Sequence, residues 1–194
     1  AEGVLGEVQL ARIHSFTQAD YNRGGWKAER GLAGGGAVMS FGVHALDLFR
    51  FLLGQEVVEV VAFADAQPME EVVSCLLRFE RGALAYMDTG RTVPFAAGRN
   101  EVLVYGTRAS AVAMGTLGGR TTGRLEVTTS EGTRADEVSA RDLVREEIEE
   151  FGRCIREGIE PSTTGLDGLR AVEVTEALYA SIRQGALVSV GAER

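Results

Sequence analysis

The stretch from residue 36 to 53, G-A-V-M-S-F-G-V-H-A-L-D-L-F-R-F-L-L, constrains this chain more than any other. It holds no proline, and most of its positions are apolar. Gly34-Gly35-Gly36 precedes it and Gly54 follows it, so it reads as one helix closed by a glycine at C′. A helix apolar around most of its circumference is expected to be buried on nearly all sides. The remainder of the chain must supply a broad surface to pack against it.

What surrounds the helix reads mainly as strands. Residues 7–16 open with a strand, 17–33 are irregular, and 57–64 form a second strand. Residues 70–79 and 83–90 form a hairpin about Glu80-Arg81-Gly82, and 100–105, 110–114 and 124–129 add three strands. Two helices follow at 142–157 and 165–184, then a short strand at 186–190. In the first of these helices Val144, Ile148, Phe151 and Ile155 recur at intervals of four, three and four, one apolar stripe. Ser139 and Asp142 mark its start, Gly158 and Pro161 its stop; Thr164 with Asp167 opens the second helix and Gly185 ends it. This order predicts an α+β fold, an open, largely antiparallel mixed β-sheet with helices packed on one face. Val57-Val58, Val60-Val61, Val72-Val73 and Cys75-Leu76-Leu77 place apolar groups on both faces of their strands. The face away from the helices is therefore expected to be buried too, against another subunit or domain.

Composition narrows the function classes. The 194 residues include 20 Lys plus Arg and 28 Asp plus Glu, a formal charge of −8. A pI near 4.9 argues against a nucleic-acid partner, which needs a basic surface. Apolar stretches fall short of the roughly 20 residues of a membrane span, so no membrane partner is expected. Cys75 and Cys154 have no ligand-like neighbours, so neither a metal site nor a disulfide framework is expected, and a reduced, cytoplasmic setting is the default. The first residues show no signal-peptide pattern and run without a methionine straight into a strand, as in a processed protein or a fragment. The glycines of G-L-A-G-G-G follow no strand and precede no strand ending in an acidic residue, so no cofactor-binding residues are assigned within this chain.

Concentrated chemistry occurs in the 36–53 helix. Ser40, His44, Asp47 and Arg50 follow at spacings of four, three and three and share one face. A histidine one turn from a hydroxyl and near a carboxylate can move a proton near neutral pH. On spacing alone a structural role fits as well, with Asp47 and Arg50 as an ion pair and His44 bonded to a loop. His14, in the first strand, has no comparable partner in sequence.

Residues 34–54, GGGAVMSFGVHALDLFRFLLG, resemble the segment G-G-G-x-L-x-D-x-G-x-H-x-x-D-x-x-x-x-L-x-G of the glucose–fructose oxidoreductase, inositol dehydrogenase and MocA-like family. FGRCIREGIEPSTTGLDGLRAVEVTEALYASIRQGALVSV is similar to that family's closing pattern, and VYGTRAS to its G-T-x-G-S turn. The resemblance implies that residues 1–194 are the C-terminal substrate and oligomerisation domain of a two-domain oxidoreductase acting on a secondary alcohol or carbonyl of a sugar, cyclitol or similar polyol, with the other face of the open sheet available for oligomerisation as a homodimer or homotetramer. A Rossmann domain absent from this chain would bind NAD or NADP, and this chain alone is expected to be inactive. By the same resemblance His44 falls on the active-site histidine. Ser40 falls where many members have an aspartate, and it carries no charge to support His44. Asp47, and Trp26 with Lys27 upstream of the glycines, match substrate-facing positions; Arg91 is a further substrate-binding candidate. Two alternatives stay open: a non-catalytic assembly module with a degenerate site, and a relative that cleaves glycosides by transient oxidation.

Overall fold

The computed structural model describes residues 3–17, 25–65, 69–117 and 122–191. The strands are β1 (Val8–Phe16), β2 (Val57–Ala64), β3 (Val72–Phe79), β4 (Leu84–Gly90), β5 (Arg99–Gly106), β6 (Ala109–Met114), β7 (Gly123–Thr129), β8 (Gly132–Val138) and β9 (Val188–Ser189). They form one sheet in the order β8-β7-β6-β5-β1-β4-β3-β2-β9. Among the described residues only β1 and β4 pair in parallel, and the other ladders are antiparallel. The helices are α1 (Arg30–Ala33), α2 (Val43–Leu53), α3 (Leu143–Glu157) and α4 (Gly165–Gln184). This is the α+β arrangement expected.

Alternation along the strands decides which residues enter the core. Ile13 of β1, Val60 of β2, Leu77 and Phe79 of β3 and Met87 of β4 face inward, against Leu46 and Phe49 of α2 and Leu178 of α4. Phe49 meets Phe79 edge to face at 6.5 Å between centroids. The Ser181 hydroxyl, buried on α4, accepts the Ala62 N–H at 3.0 Å and donates to the Ala186 carbonyl at 2.6 Å, which pins α4 to β2. On the opposite face Phe63, Leu76, Leu84 and Tyr105 are exposed beside the Arg12–Asp88 and Arg78–Glu59 ion pairs, so apolar groups stand on both sides of the sheet.

Three expectations change. The helix expected over 36–53 begins with a π-helical turn, Val38–Gly42, before α2 proper. It is buried on one side only: Leu46 and Phe49 are enclosed, whereas His44 and Phe51 are exposed, because the sheet and α4 do not encircle it. The strand β8, G-T-R-A-D-E-V, escapes sequence patterning because its only large apolar residue is Val138 and four of its seven residues are polar, as suits an exposed sheet edge. Residues 18–24 of the irregular segment and the glycine pair at 118–119 lie outside the described residues.

Arg30–Leu53 taken together has the length and mean hydropathy, 1.4, of a candidate membrane span. The chain turns between α1 and α2, with Gly34 at φ 78°, and α2 carries Leu46 and Phe49 into the core. The apolar composition is that of a core helix.

Candidate functional site

The helical segment that carries Ser40, His44 and Asp47 is held at both ends by carboxylates from elsewhere in the chain. At its start, the buried Glu70 accepts the Gly36 and Val38 N–H groups through Oε1 at 3.0 and 3.1 Å. Its own carbonyl accepts the Ala37 N–H at 2.8 Å, and the Tyr179 hydroxyl donates to Oε1 at 2.8 Å. A carboxylate at this position satisfies amides that begin a helix and complements its dipole. Burial, and then the bond to Glu70, push the Tyr179 phenol above its ordinary value. The glycine run serves this packing: a Cβ at Gly36 would overlap the Glu70 backbone, and one at Gly35 the Tyr179 hydroxyl.

At the other end, Arg50 is buried and clasped by Glu56, with Nε to Oε2 and Nη2 to Oε1 both at 2.7 Å. Asp167 lies 3.3 Å and Asp47 3.5 Å from its Nη1. The hydrogen bonds to Glu56 raise the Arg50 guanidinium above its ordinary value, and Arg50 in turn holds the Glu56 carboxyl below its own. The ion pair read from the Asp47–Arg50 spacing therefore exists, with Glu56 as the closer partner. A cleft of about 360 Å³ opens here, lined by Asp47, Arg50, Phe51, Glu56, Ser162 and Asp167 among others.

Between these two anchors, Ser40 and Asp47 are half-buried and His44 is exposed. The three lie along one side of the helix, and His44 is open to a reacting partner approaching from outside. Trp26 and Lys27 stand on a 3₁₀ turn, Gly25–Ala28, ahead of α1; Trp26 is exposed, with the Lys27 ammonium 5.4 Å from its ring centre. Arg91 is buried, with Nε and Nη2 each 2.9 Å from a Glu71 carboxylate oxygen. A substrate contact through Arg91 would have to compete with that bidentate pair.

His14 corrects the sequence reading. The parallel pairing of β1 with β4 sets it opposite Asp88, and Nδ1 lies 2.5 Å from Asp88 Oδ2. Its ring stacks on Phe16 at 5.0 Å. The partner is 74 residues away, across a register that local spacing cannot reveal. Glu70, 34 residues from Gly36, is likewise a non-local partner, whereas Glu56 lies six residues beyond Arg50, just past the helical spacing that picks out Asp47.

A dinucleotide needs helix N-terminal amides for its diphosphate. Here one or two of those amides at each longer helix are already accepted within the chain: by Glu70 ahead of α2, by Asp142 at α3 through the Arg145 N–H at 3.1 Å, and in the Thr164–Asp167 capping box at α4. None of these three ends is left uncapped for a diphosphate.

Comparison with known proteins adds the family. The 1,5-anhydro-D-fructose reductase of Ensifer adhaerens is 29% identical over 87% of this chain and 52% of that protein. An uncharacterized oxidoreductase of Bacillus subtilis (strain 168) is 32% identical over 80% of this chain and 48% of its own length. The crystal structure of aldose-aldose oxidoreductase from Caulobacter crescentus, complexed with glycerol, matches with a TM-score of 0.85 at 26% identity, over 97% of this chain and 57% of that one. The chain thus spans about half the length of the curated relatives it matches. Residues 1–112, more than half of the chain, match the family model described as GFO/IDH/MocA C-terminal domain, and the chain belongs to that oxidoreductase family.

Proposed function

We propose that this chain is the substrate-binding and oligomerisation half of an NAD(P)-dependent oxidoreductase that interconverts a secondary alcohol and a carbonyl on a sugar, cyclitol or similar polyol. The observation that carries the reading is the exposed His44, set between half-buried Ser40 and Asp47 on a helix anchored at both ends. Relatives named for 1,5-anhydro-D-fructose and for aldoses support the substrate class. The nicotinamide supplies the redox half of the chemistry and is bound by a second half of the protein, a reading supported by the caps that the longer helices here already carry. His44 takes or returns the proton of the reacting oxygen, and Ser40 orients that oxygen by a neutral hydrogen bond. Trp26, Lys27 and Asp47 contact the polyol.

The outer sheet face, with Phe63, Leu76, Leu84 and Tyr105, joins subunits in this reading. The test is a titration of the full-length protein with NAD and NADP, followed by turnover against a panel of polyols. Nucleotide binding with polyol-dependent turnover supports the reading. A full-length protein that binds neither nucleotide overturns it.

A further inference from the structure

Among the described residues, α3 is the one long helix whose apolar side finds no place in the core. Val144, Ile148, Phe151 and Ile155, the regular stripe of the sequence, are each 59–67% exposed, and Leu143 and Ile159 extend it at either end. The single buried residue of α3 is Cys154, whose Sγ lies 3.8 Å from the Glu160 carbonyl in the following loop. The ends are well made, with Asp142 capping the Arg145 N–H and Gly158 in the left-handed conformation at C′. A 15-residue helix standing alone in water is nevertheless marginal, and surface pairs such as Arg145–Glu149 add little. A stripe this regular has its use in covering another body.

We infer that the α3 stripe is the seat of the nucleotide-binding half of the protein. The inference rests on the reading above that such a half completes the enzyme. Length supports this occupant: the matched relatives continue for about as many residues again beyond the part this chain covers. Position supports it too. Ser162 and Thr163, in the connection from α3 to α4, line the same cleft as Asp47 and the exposed Phe51 of α2. The α3–α4 connection thus abuts the part of α2 that carries Asp47, one turn beyond His44. Lipid fits less well, because the α3 polar faces carry five acidic and three basic residues.

Amide hydrogen exchange over residues 143–157 tests this, measured on the 194-residue chain, which closes its own core, and on the full-length protein, with nucleotide affinity measured alongside. The expected result is α3 exchange about 10²-fold slower in the full-length protein. An I148D/F151D double variant is expected to restore fast exchange there, while leaving the Tm of the 194-residue chain unchanged. Equal α3 exchange in a full-length protein that binds nucleotide overturns the inference and leaves the functional reading standing. Protection that arises in the 194-residue chain alone and grows with its concentration makes a second copy the occupant, and also overturns it. A full-length protein with no nucleotide affinity overturns both.

Discussion

The Tyr179 hydroxyl reaches 109 residues back along the chain to donate a 2.8 Å hydrogen bond to Glu70, and through Glu70 the last helix fixes where the site helix begins. Removing the carboxylate leaves the Gly36 and Val38 N–H groups and the Tyr179 hydroxyl without that acceptor. Glu70→Ala is expected to lower stability by about 3 kcal/mol, read from urea unfolding. Tyr179→Phe deletes one donor and costs about 1–2 kcal/mol. A loss under half a kilocalorie for both variants would show that this contact does not hold the helix start.

The same contact gives an alkaline signature. Because the folded-state phenol titrates above its ordinary value of 10.0, the unfolded chain releases that proton first as pH rises. The contribution is complete below about pH 10 and is lost above it. Wild-type stability should therefore fall more steeply above that pH than the stability of Tyr179→Phe. Parallel curves for the two proteins in chemical denaturation would contradict the assignment.

The other end of the helix depends on Glu56 more than on Asp47. Glu56→Ala is expected to cost about 1–3 kcal/mol, moderated by the partial exposure of its carboxylate, and Asp47→Leu less than about 1 kcal/mol. The Glu56 carboxyl is held below its ordinary value, so its stabilisation is present above about pH 4.5 and disappears as acid protonates it in the folded state. Wild type should thus lose more stability than Glu56→Gln on going from pH 6 to pH 3. Asp47→Leu proving the more damaging substitution would reverse this ranking.

Oligomerisation through the outer sheet face can be read by sedimentation. At micromolar concentration the chain is expected above its monomer mass, and Leu76→Asp with Tyr105→Asp to return it to 20.7 kDa. A wild-type chain that sediments only at 20.7 kDa would count against the interface.

Ser40 offers a gain-of-charge test. A carboxylate one turn from His44 favours the imidazolium, so Ser40→Asp should move the acid limb of the full-length enzyme's pH–rate profile upward by about 0.5–1 pH unit. An unmoved limb would separate Ser40 from the proton-handling group.

Much of the fold is legible where signals are local. The Thr164–Asp167 capping box and Gly185 mark both ends of α4, and the valine-rich run at 57–64 marks β2. The Asp47–Arg50 neighbourhood follows from helical spacing. What local patterning misses depends on partners distant in sequence. Glu70 looks like the start of a strand until tertiary packing sets it against the amides of Gly36 and Val38, and the glycine triplet alone does not say that Glu70 and Tyr179 make the close approach beside it. His14 lacks a partner until β1 pairs in parallel with β4. The α3 stripe is plain in sequence, but its exposure is a property of the folded chain.

The central claim, that His44 handles the proton of the reacting oxygen, is tested most directly by steady-state turnover of full-length His44→Ala against wild type on the same polyol. The account predicts a fall in kcat of about 10²–10⁴-fold with nucleotide affinity and Tm unchanged. Turnover equal to wild type would contradict it.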